Sequence, residues 1–420
     1  MNVLLIGGGG REHALAWAIR QSGAVDKLFA APGNPGIATI ADCVALDIAS
    51  HTAVVDFCRL MDVGLVTVGP EQPLVEGLVD TLVAAGIPAF GPSAAAARLE
   101  GSKAFTKELC DAAAIPTASW KRFDRYEDAL THVRSEGAPI VVKADGLAAG
   151  KGVTVAMTIG EAEAALGTIF ADEGASVVIE SYLSGEEASV FCICDGETAI
   201  VLPSCQDHKR IGEGDTGPNT GGMGALCPAP VVTEAVLVRT MDEIIAPTLA
   251  EMAQRGTPFR GVLYAGLMIE EGAPKLIEYN VRFGDPEAQV LAPLLGAKLF
   301  DLMRAAAKGR LAECERPSTA QAALCVTLAA EGYPGTPRKG DVIAGVHDAL
   351  ALDDLAVFHA GTAERNGELV TNGGRVLTVT GVGATLAAAR DRAYEAVDRI
   401  SWNGMQARRD IGHRALKHQG

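Results

Sequence analysis

The first 90 residues alternate short apolar runs with amphipathic stretches, and that alternation narrows the fold more than any other feature. Residues 2–6 read as a buried strand, followed by four glycines, Gly7 to Gly10. Residues 11–22 then carry Leu15, Ala18, Ile19 and Ser22 at the period of a half-buried helix. The pattern repeats as strand 27–31, helix 52–61, strand 64–68 and helix 74–85. Strands alternating with helices imply a parallel, doubly wound sheet in an α/β protein.

Strand, glycine turn and helix open a Rossmann-like unit, which makes a dinucleotide the obvious ligand to test. The residues argue against it. The fingerprint needs glycine at its sixth position, where Glu12 stands, and an acidic residue closing the second strand. That strand instead ends in the neutral loop Ala31-Pro-Gly-Asn-Pro-Gly36. Gly33, Asn34 and Gly36, together with Gly69-Pro70-Glu71, fall on the carboxyl edge of the sheet, where open α/β sheets bind ligands. Simple tight turns explain the same residues. His13 reads as a surface or capping histidine.

A chain of 420 residues has room for two to four domains, and 48% hydrophobic with 21% charged residues is a globular composition. The net charge of −16 disfavours nucleic acid and anionic membrane as partners. A site for an anionic substrate must therefore create its own positive field. The nine cysteines are scattered, with no Cys-x-x-Cys pair, and read as buried free thiols of a reducing compartment. The apolar run after Met1 is too short for a signal peptide or a membrane span, so a soluble cytoplasmic protein is expected.

Three later segments carry chemistry. In 274–287, Ile277, Tyr279 and Val281 alternate with Glu278, Asn280 and Arg282, as packing and polar faces of one strand. Glu278 and Asn280 offer hard oxygens suited to Mg²⁺ on phosphates, and Arg282 a fork for a carboxylate or phosphate. A half-exposed strand facing water is the plain alternative. Strand 140–145 and return strand 153–157 flank a glycine-rich tip with Lys143, Gly150, Lys151 and Gly152. It is no Walker loop, since glycine follows Lys151 and a β-branched run replaces the helix. It reads as a hairpin able to cover phosphates, or as a mobile surface turn. Lys143, if buried, needs an anionic partner. Finally, 206–224 is a long, polar, glycine-dense loop inside a compact region, which usually signals function.

Glycine-rich hairpin, strand 177–183 and Glu-x-Asn strand, in that order, resemble the ATP-grasp superfamily. Closer still, Gly-Gly-Arg-Glu-His-Ala at 9–14, Val-Gly-Pro-Glu at 68–71, Glu-Gly-Ser-Lys-Ala-Phe at 100–105, the 143–153 run, the 206–224 segment and Arg-Phe-Gly-Asp-Pro-Glu at 282–287 resemble the phosphoribosylamine–glycine ligase family. The likeness runs from residue 1 to about 415. It implies ATP, glycine and 5-phosphoribosylamine as partners, Mg²⁺ or Mn²⁺ as cofactor, and a glycyl phosphate intermediate of de novo purine synthesis. It further implies that Lys103, Lys143, Lys151 and the backbone of Gly150 and Gly152 contact ATP phosphates. Glu180, Ser181, Tyr182 and Leu183 would hold adenine, Glu187 the ribose, and Glu278 and Asn280 the metal. Arg282, Asp207 and Lys151 are the catalytic candidates. Gly9, Gly33, Asn34, Gly36, Glu71, Asn219, Gly221, Gly222, Met223 and Arg282 are the substrate candidates. Gly8 stands where the family often has Asn, which leaves only backbone contact there. The segment between Phe170 and Val177 is shorter than in many relatives. A monomer is expected, with transient contact to neighbouring purine-pathway enzymes.

The last hundred residues read as a small α+β domain, with strands 322–329, 357–360 and 375–380 and a helix over 384–400. The turn 371–374 is its weak site candidate. Arg408, Arg409, Asp410 and His413 either reach the site or are solvated. The expected domains are thus a Rossmann-like 1–100, an ATP-grasp 101–320 with a lid over about 118–183, and a C-terminal 321–420.

Overall fold

In the N-terminal sheet, β1 (Asn2–Gly7), β2 (Lys27–Pro32), β3 (Asp42–Cys43), β4 (Val63–Val68) and β5 (Ala89–Phe90) run parallel in the order β3-β2-β1-β4-β5. The structure is a computed structural model that describes residues 1–147 and 152–417. Val3, Leu4, Leu5 and Ile6 are all fully buried, because helices cover both faces of a parallel sheet. Those helices are α1 (Gly10–Arg20), α2 (His51–Leu60), α3 (Glu71–Val75), α4 (Leu78–Ala84) and α5 (Ala94–Gly101). The single helix expected over 74–85 is two, because Gly77 takes φ 86°, a left-handed turn that interrupts the ladder.

Glu12 shows why the first turn is not a dinucleotide fingerprint. Its Oε2 accepts the Gly9 N–H at 2.7 Å and its Oε1 the Arg11 Nε–H at 2.6 Å. A Cβ on Gly69 would lie 2.3 Å from that carboxylate, so the side chain fills the crevice a pyrophosphate would enter. A Cβ on Gly8 would meet Gly33 O at 2.4 Å, so glycine is the residue that fits this approach of two backbones. His13 is not at the surface as expected. It is buried, and its Nδ1 accepts the His359 N–H at 2.8 Å, joining α1 to the C-terminal region.

Ser102 caps α6 (Lys103–Ala112), its Oγ accepting the Phe105 N–H. The next unit holds β6 (Trp120–Phe123), α7 (Tyr126–Glu136), β7 (Ile140–Ala144), β8 (Val153–Ala156), α8 (Ile159–Ile169) and β9 (Val177–Ser181). Its strands form an antiparallel sheet, β6-β9-β7-β8, over a private core that includes Val133, Val142, Leu166 and Ile179. It spans the residues over which the sequence leads one to expect a lid, about 118–183.

Next come β10 (Glu186–Asp195) and β11 (Ala199–Val201). The 206–224 segment is not the loop expected. It folds into β12 (Gln206–Asp207), β13 (Arg210–Gly212), β14 (Thr216–Asn219) and the start of β15 (Gly224–Cys227), with β13 and β14 paired as a hairpin. Then β16 (Arg260–Glu270) and β17 (Ala273–Asn280) complete an antiparallel sheet, β11-β10-β16-β17.

The alternation expected on β17 fails at one residue. Gly266 pairs with Glu278 but Leu267 with Leu276, so Ile277 is an extra residue at a bulge. Leu276 and Tyr279 are buried, while Ile277 joins Glu278 on the exposed side.

At the C-terminus, β18 (Ala322–Ala329), β19 (Leu355–His359), β20 (Thr362–Arg365), β21 (Glu368–Thr371) and β22 (Arg375–Gly383) are followed by a helix, Leu386–Val397. Thr385 sets its start, its Oγ1 accepting the Ala388 N–H. The sheet order is β12-β15-β18-β22-β19, so residues 206–227 contribute two strands to it. The boundary expected at 320 therefore does not separate the sheets. Among the described residues, no helix is long and apolar enough to cross a membrane.

Candidate active site

A cavity of about 640 Å³ opens between the β6-β9-β7-β8 sheet, the face of β16 and β17, and the C-terminal sheet. Strand β17 and its exit supply Glu278, Asn280 and Arg282; Lys103 comes from α6 and Lys143 from β7. Ser181, Tyr182 and Leu183 also line it, as do the apolar Leu147, Val155 and Met268.

Lys143 has the anionic partner its burial demands. Its Nζ lies 2.8 Å from Glu180 Oε1, and Lys107 Nζ lies 2.9 Å from Glu180 Oε2. All three side chains are under 5% exposed. The Glu180 carboxylate thus neutralises two lysines, and the residue lines the cavity beside Ser181. Lys103 donates from Nζ to Gly146 O at 2.9 Å, and its backbone N–H to Asp145 Oδ1 at 2.7 Å, which ties the end of β7 to the start of α6. Burial lowers the pKa of both Lys103 and Lys107.

Arg282 is held on two sides. Its Nη2 meets Glu100 Oε1 at 2.8 Å and its Nε meets Glu71 Oε2 at 3.1 Å. Burial alone would weaken its hold on its proton, but these two carboxylates outweigh that and raise its pKa. Glu71, expected to touch substrate, here orients the arginine. Across the cavity, Tyr264 donates to Glu287 Oε1 at 2.8 Å and accepts from Ser189 Oγ at 2.9 Å. Burial, reinforced by Glu287 and Glu187 against the pull of Lys209, pushes the Asp207 carboxyl up to about 7. Lys209 pairs with Glu187 at 2.6 Å and holds that carboxyl below its usual range.

Glu278 and Asn280 line the cavity, and the Glu278 carboxylate acts electrostatically on Lys103 and Lys209. Their hard oxygens suit a divalent ion whose other ligands are phosphates and water. Among the described residues no group of three or more His, Cys, Asp or Glu forms an all-protein cage.

The expected residues divide clearly. Lys103, Lys143, Gly152, Glu180 to Leu183, Glu187, Asp207, Asn219, Gly221, Glu71, Glu278, Asn280 and Arg282 all line the cavity. Gly9, Gly33, Asn34, Gly36, Gly222 and Met223 do not. Asn34 is fully committed inside: Nδ2 donates to Gly8 O and His359 O, and Oδ1 accepts the Ile37 N–H. Met223 is 1% exposed, and a Cβ on Gly222 would strike Pro286. Gly150 and Lys151 lie outside the described residues. Lys107, Glu100, Lys209 and Arg375 were missed. Arg375 donates to Gly221 O at 2.6 Å and pairs with Asp285 at 3.0 Å. The turn singled out at 371–374 was one residue short of it.

A small antiparallel sheet bearing a lysine, set beside a second antiparallel sheet with a Glu-x-Asn strand, defines an ATP-grasp protein. The chain belongs to the phosphoribosylglycinamide synthetase family, whose N domain matches residues 1–100, ATP-grasp (A) domain 101–288 and C domain 323–414. It is 57% identical to the phosphoribosylamine–glycine ligases of Mesorhizobium japonicum and Rhizobium meliloti, covering all of this chain and 99% and 100% of theirs. The crystal structure of the Thermotoga maritima phosphoribosylamine–glycine ligase superposes with a TM-score of 0.84 at 33% identity, over 98% of this chain and 100% of that one. The biotin carboxylase domain of a Hydrogenobacter thermophilus 2-oxoglutarate carboxylase shares the fold, with a TM-score of 0.71 at 17% identity over 97% of this chain and 91% of that one.

Proposed function

We propose that the chain joins glycine to 5-phospho-D-ribosylamine at the expense of ATP, giving glycinamide ribonucleotide, ADP and phosphate in de novo purine biosynthesis. The observation that carries this reading is the gathering of Lys103, Lys143, Glu278, Asn280 and Arg282 in the lining of one cavity, with Lys143 Nζ 3.2 Å from Ile277 O beside Glu278.

The cavity lining at Ser181 to Leu183 takes adenine, and Glu187 accepts the ribose hydroxyls. Lys103, Lys143 and the backbone of Gly152 bind phosphates, together with Gly150 and Lys151. Glu278 and Asn280 hold Mg²⁺ or Mn²⁺, which supplies charge neutralisation to the phosphates. The glycine carboxylate, oriented by Arg282, attacks the γ-phosphorus; the bond to the β–γ bridging oxygen breaks, leaving ADP and glycyl phosphate. The phosphoribosylamine nitrogen then attacks the acyl carbon. Phosphate leaves with the acyl C–O bond, and the amine loses a proton. Both steps develop negative charge on oxygen, so fixed positive charge and positioning do most of the work and no protein nucleophile is needed. Arg282, pinned by Glu71 and Glu100, needs no reorganisation to meet that charge. Asp207 orients glycine or the tetrahedral centre opposite it. Asn219 and Gly221 face the sugar phosphate. We place the reaction in the cytoplasm and assign it to a monomer, working in transient contact with neighbouring enzymes of the pathway.

The likeness to a carboxylase fold sets the test. ADP release is measured with glycine, bicarbonate or formate as the acid, with phosphoribosylamine present. Glycine alone should support turnover; equal rates with bicarbonate would remove the proposal.

A further inference from the structure

The β13–β14 hairpin lends Arg210, Asp215 and Asn219 to the cavity lining, yet its two strands pair only with each other. An isolated two-stranded ribbon is marginally stable in water. What holds this one is the C-terminal segment. The Arg408 side chain is 1% exposed and does not line the cavity. Its Nη1 donates to Arg210 O at 3.0 Å and to Asp215 Oδ1 at 2.9 Å, reaching the start of the hairpin and its tip together. Its Nε and Nη2 grip both oxygens of Asp410 at 2.8 Å. Asp410 in turn accepts the Gly214 N–H at 2.8 Å, and Glu213 accepts the Arg409 N–H at 3.1 Å. One planar guanidinium therefore bolts the hairpin to the chain's end.

We propose that Arg408 is a positioning residue for the sugar-phosphate substrate: without touching it, the guanidinium fixes the hairpin that presents Asn219 and Asp215 to the cavity. The proposal rests on the assignment of that side of the cavity to phosphoribosylamine. Lysine cannot replace the fork, because a single ammonium cannot span a carbonyl and two carboxylates in one plane. A buried arginine that served stability alone would lower apparent kcat with the folded fraction and leave every KM unchanged. A positioning residue raises the KM of the substrate it serves.

The test compares Arg408→Met, Arg408→Lys and Asn219→Ala with wild type. It measures KM for each substrate, kcat, affinity for a non-hydrolysable ATP analogue, and thermal unfolding. Arg408→Met should raise KM for phosphoribosylamine about tenfold or more while kcat stays within about threefold. ATP-analogue affinity should not change, and Arg408→Lys should fall between. If Arg408→Met does not fold, Arg408→Lys and Asp410→Ala, which removes the acceptor of two Arg408 bonds and of the Gly214 N–H, carry the same reading. KM values unchanged for every substrate, with kcat falling only in step with the folded fraction, overturn the proposal. Asn219→Ala reports separately which substrate the hairpin serves. Should it and Arg408→Met both raise KM for ATP instead, the positioning role stands and the assignment of that side falls.

Discussion

Glu180 joins two elements through one carboxylate: Lys143 on β7 and Lys107 on α6 both end on it, with no solvent to share the charge. Removing one member of a buried ionic group leaves the others uncompensated, which costs roughly 3–5 kcal/mol. Glu180→Gln should therefore lose about that much stability in denaturant unfolding; an unchanged midpoint would mean that the lysines find water. The sequence showed Lys143 and its need for a partner, but not which one. Nothing in the residues 177–183 distinguishes a glutamate facing adenine from one paired with two lysines, because the choice depends on α6 packing beneath the sheet. Ile277 is a second case. Strict alternation placed it in the core, and a one-residue bulge, invisible in the side-chain pattern, moved it to the cavity wall. Asn34 is a third: a polar residue in a glycine-rich turn reads as a ligand, yet its hydrogen bonds all go to backbone.

At the scale of elements, the contact of α1 with β19 depends on two histidines staying neutral. Burial lowers the pKa of His13 to about 3, helped by His359, and that of His359 to about 4. Both folded values lie below the ordinary 6.5, so between them the unfolded chain binds more protons than the folded one. Stability from these groups is complete above about pH 6.5 and is lost as pH falls towards 4 and then 3. Unfolding free energy measured between pH 5 and 6 should rise with pH, and His13→Gln should reduce that slope by up to about 1.4 kcal/mol per pH unit. An unaltered slope would contradict the buried, neutral state. The strands and helices of the N-terminal sheet were legible because two-sided burial writes itself as continuous apolar runs. The β13–β14 hairpin was not, since its residues are polar and glycine-rich and its support comes from Arg408, some two hundred residues away.

Across the whole molecule, the net charge of −16 raises the question of how a triphosphate is accommodated. The sequence suggested a locally positive site. Among the described residues lining the cavity, nine Lys and Arg face nine Asp and Glu, so the protein supplies balance rather than excess. The carboxylates hold the cations in place, as Glu71 and Glu100 hold Arg282, and a divalent metal arriving with the nucleotide would add positive charge. That places Glu278 and Asn280, two hard oxygen donors of the cavity lining, at the centre of the account. The domain order was legible from motif order, whereas the sharing of residues 206–227 with the C-terminal sheet was not, because long-range pairing leaves no local signature. The decisive measurement is glycine- and phosphoribosylamine-dependent ADP formation at saturating Mg²⁺ in wild type and in Glu278→Ala. The account predicts a loss of at least ~100-fold in kcat, with the fold intact by circular dichroism, since metal charge stabilises the transition state by several kcal/mol. Turnover at the wild-type rate in the variant would contradict it.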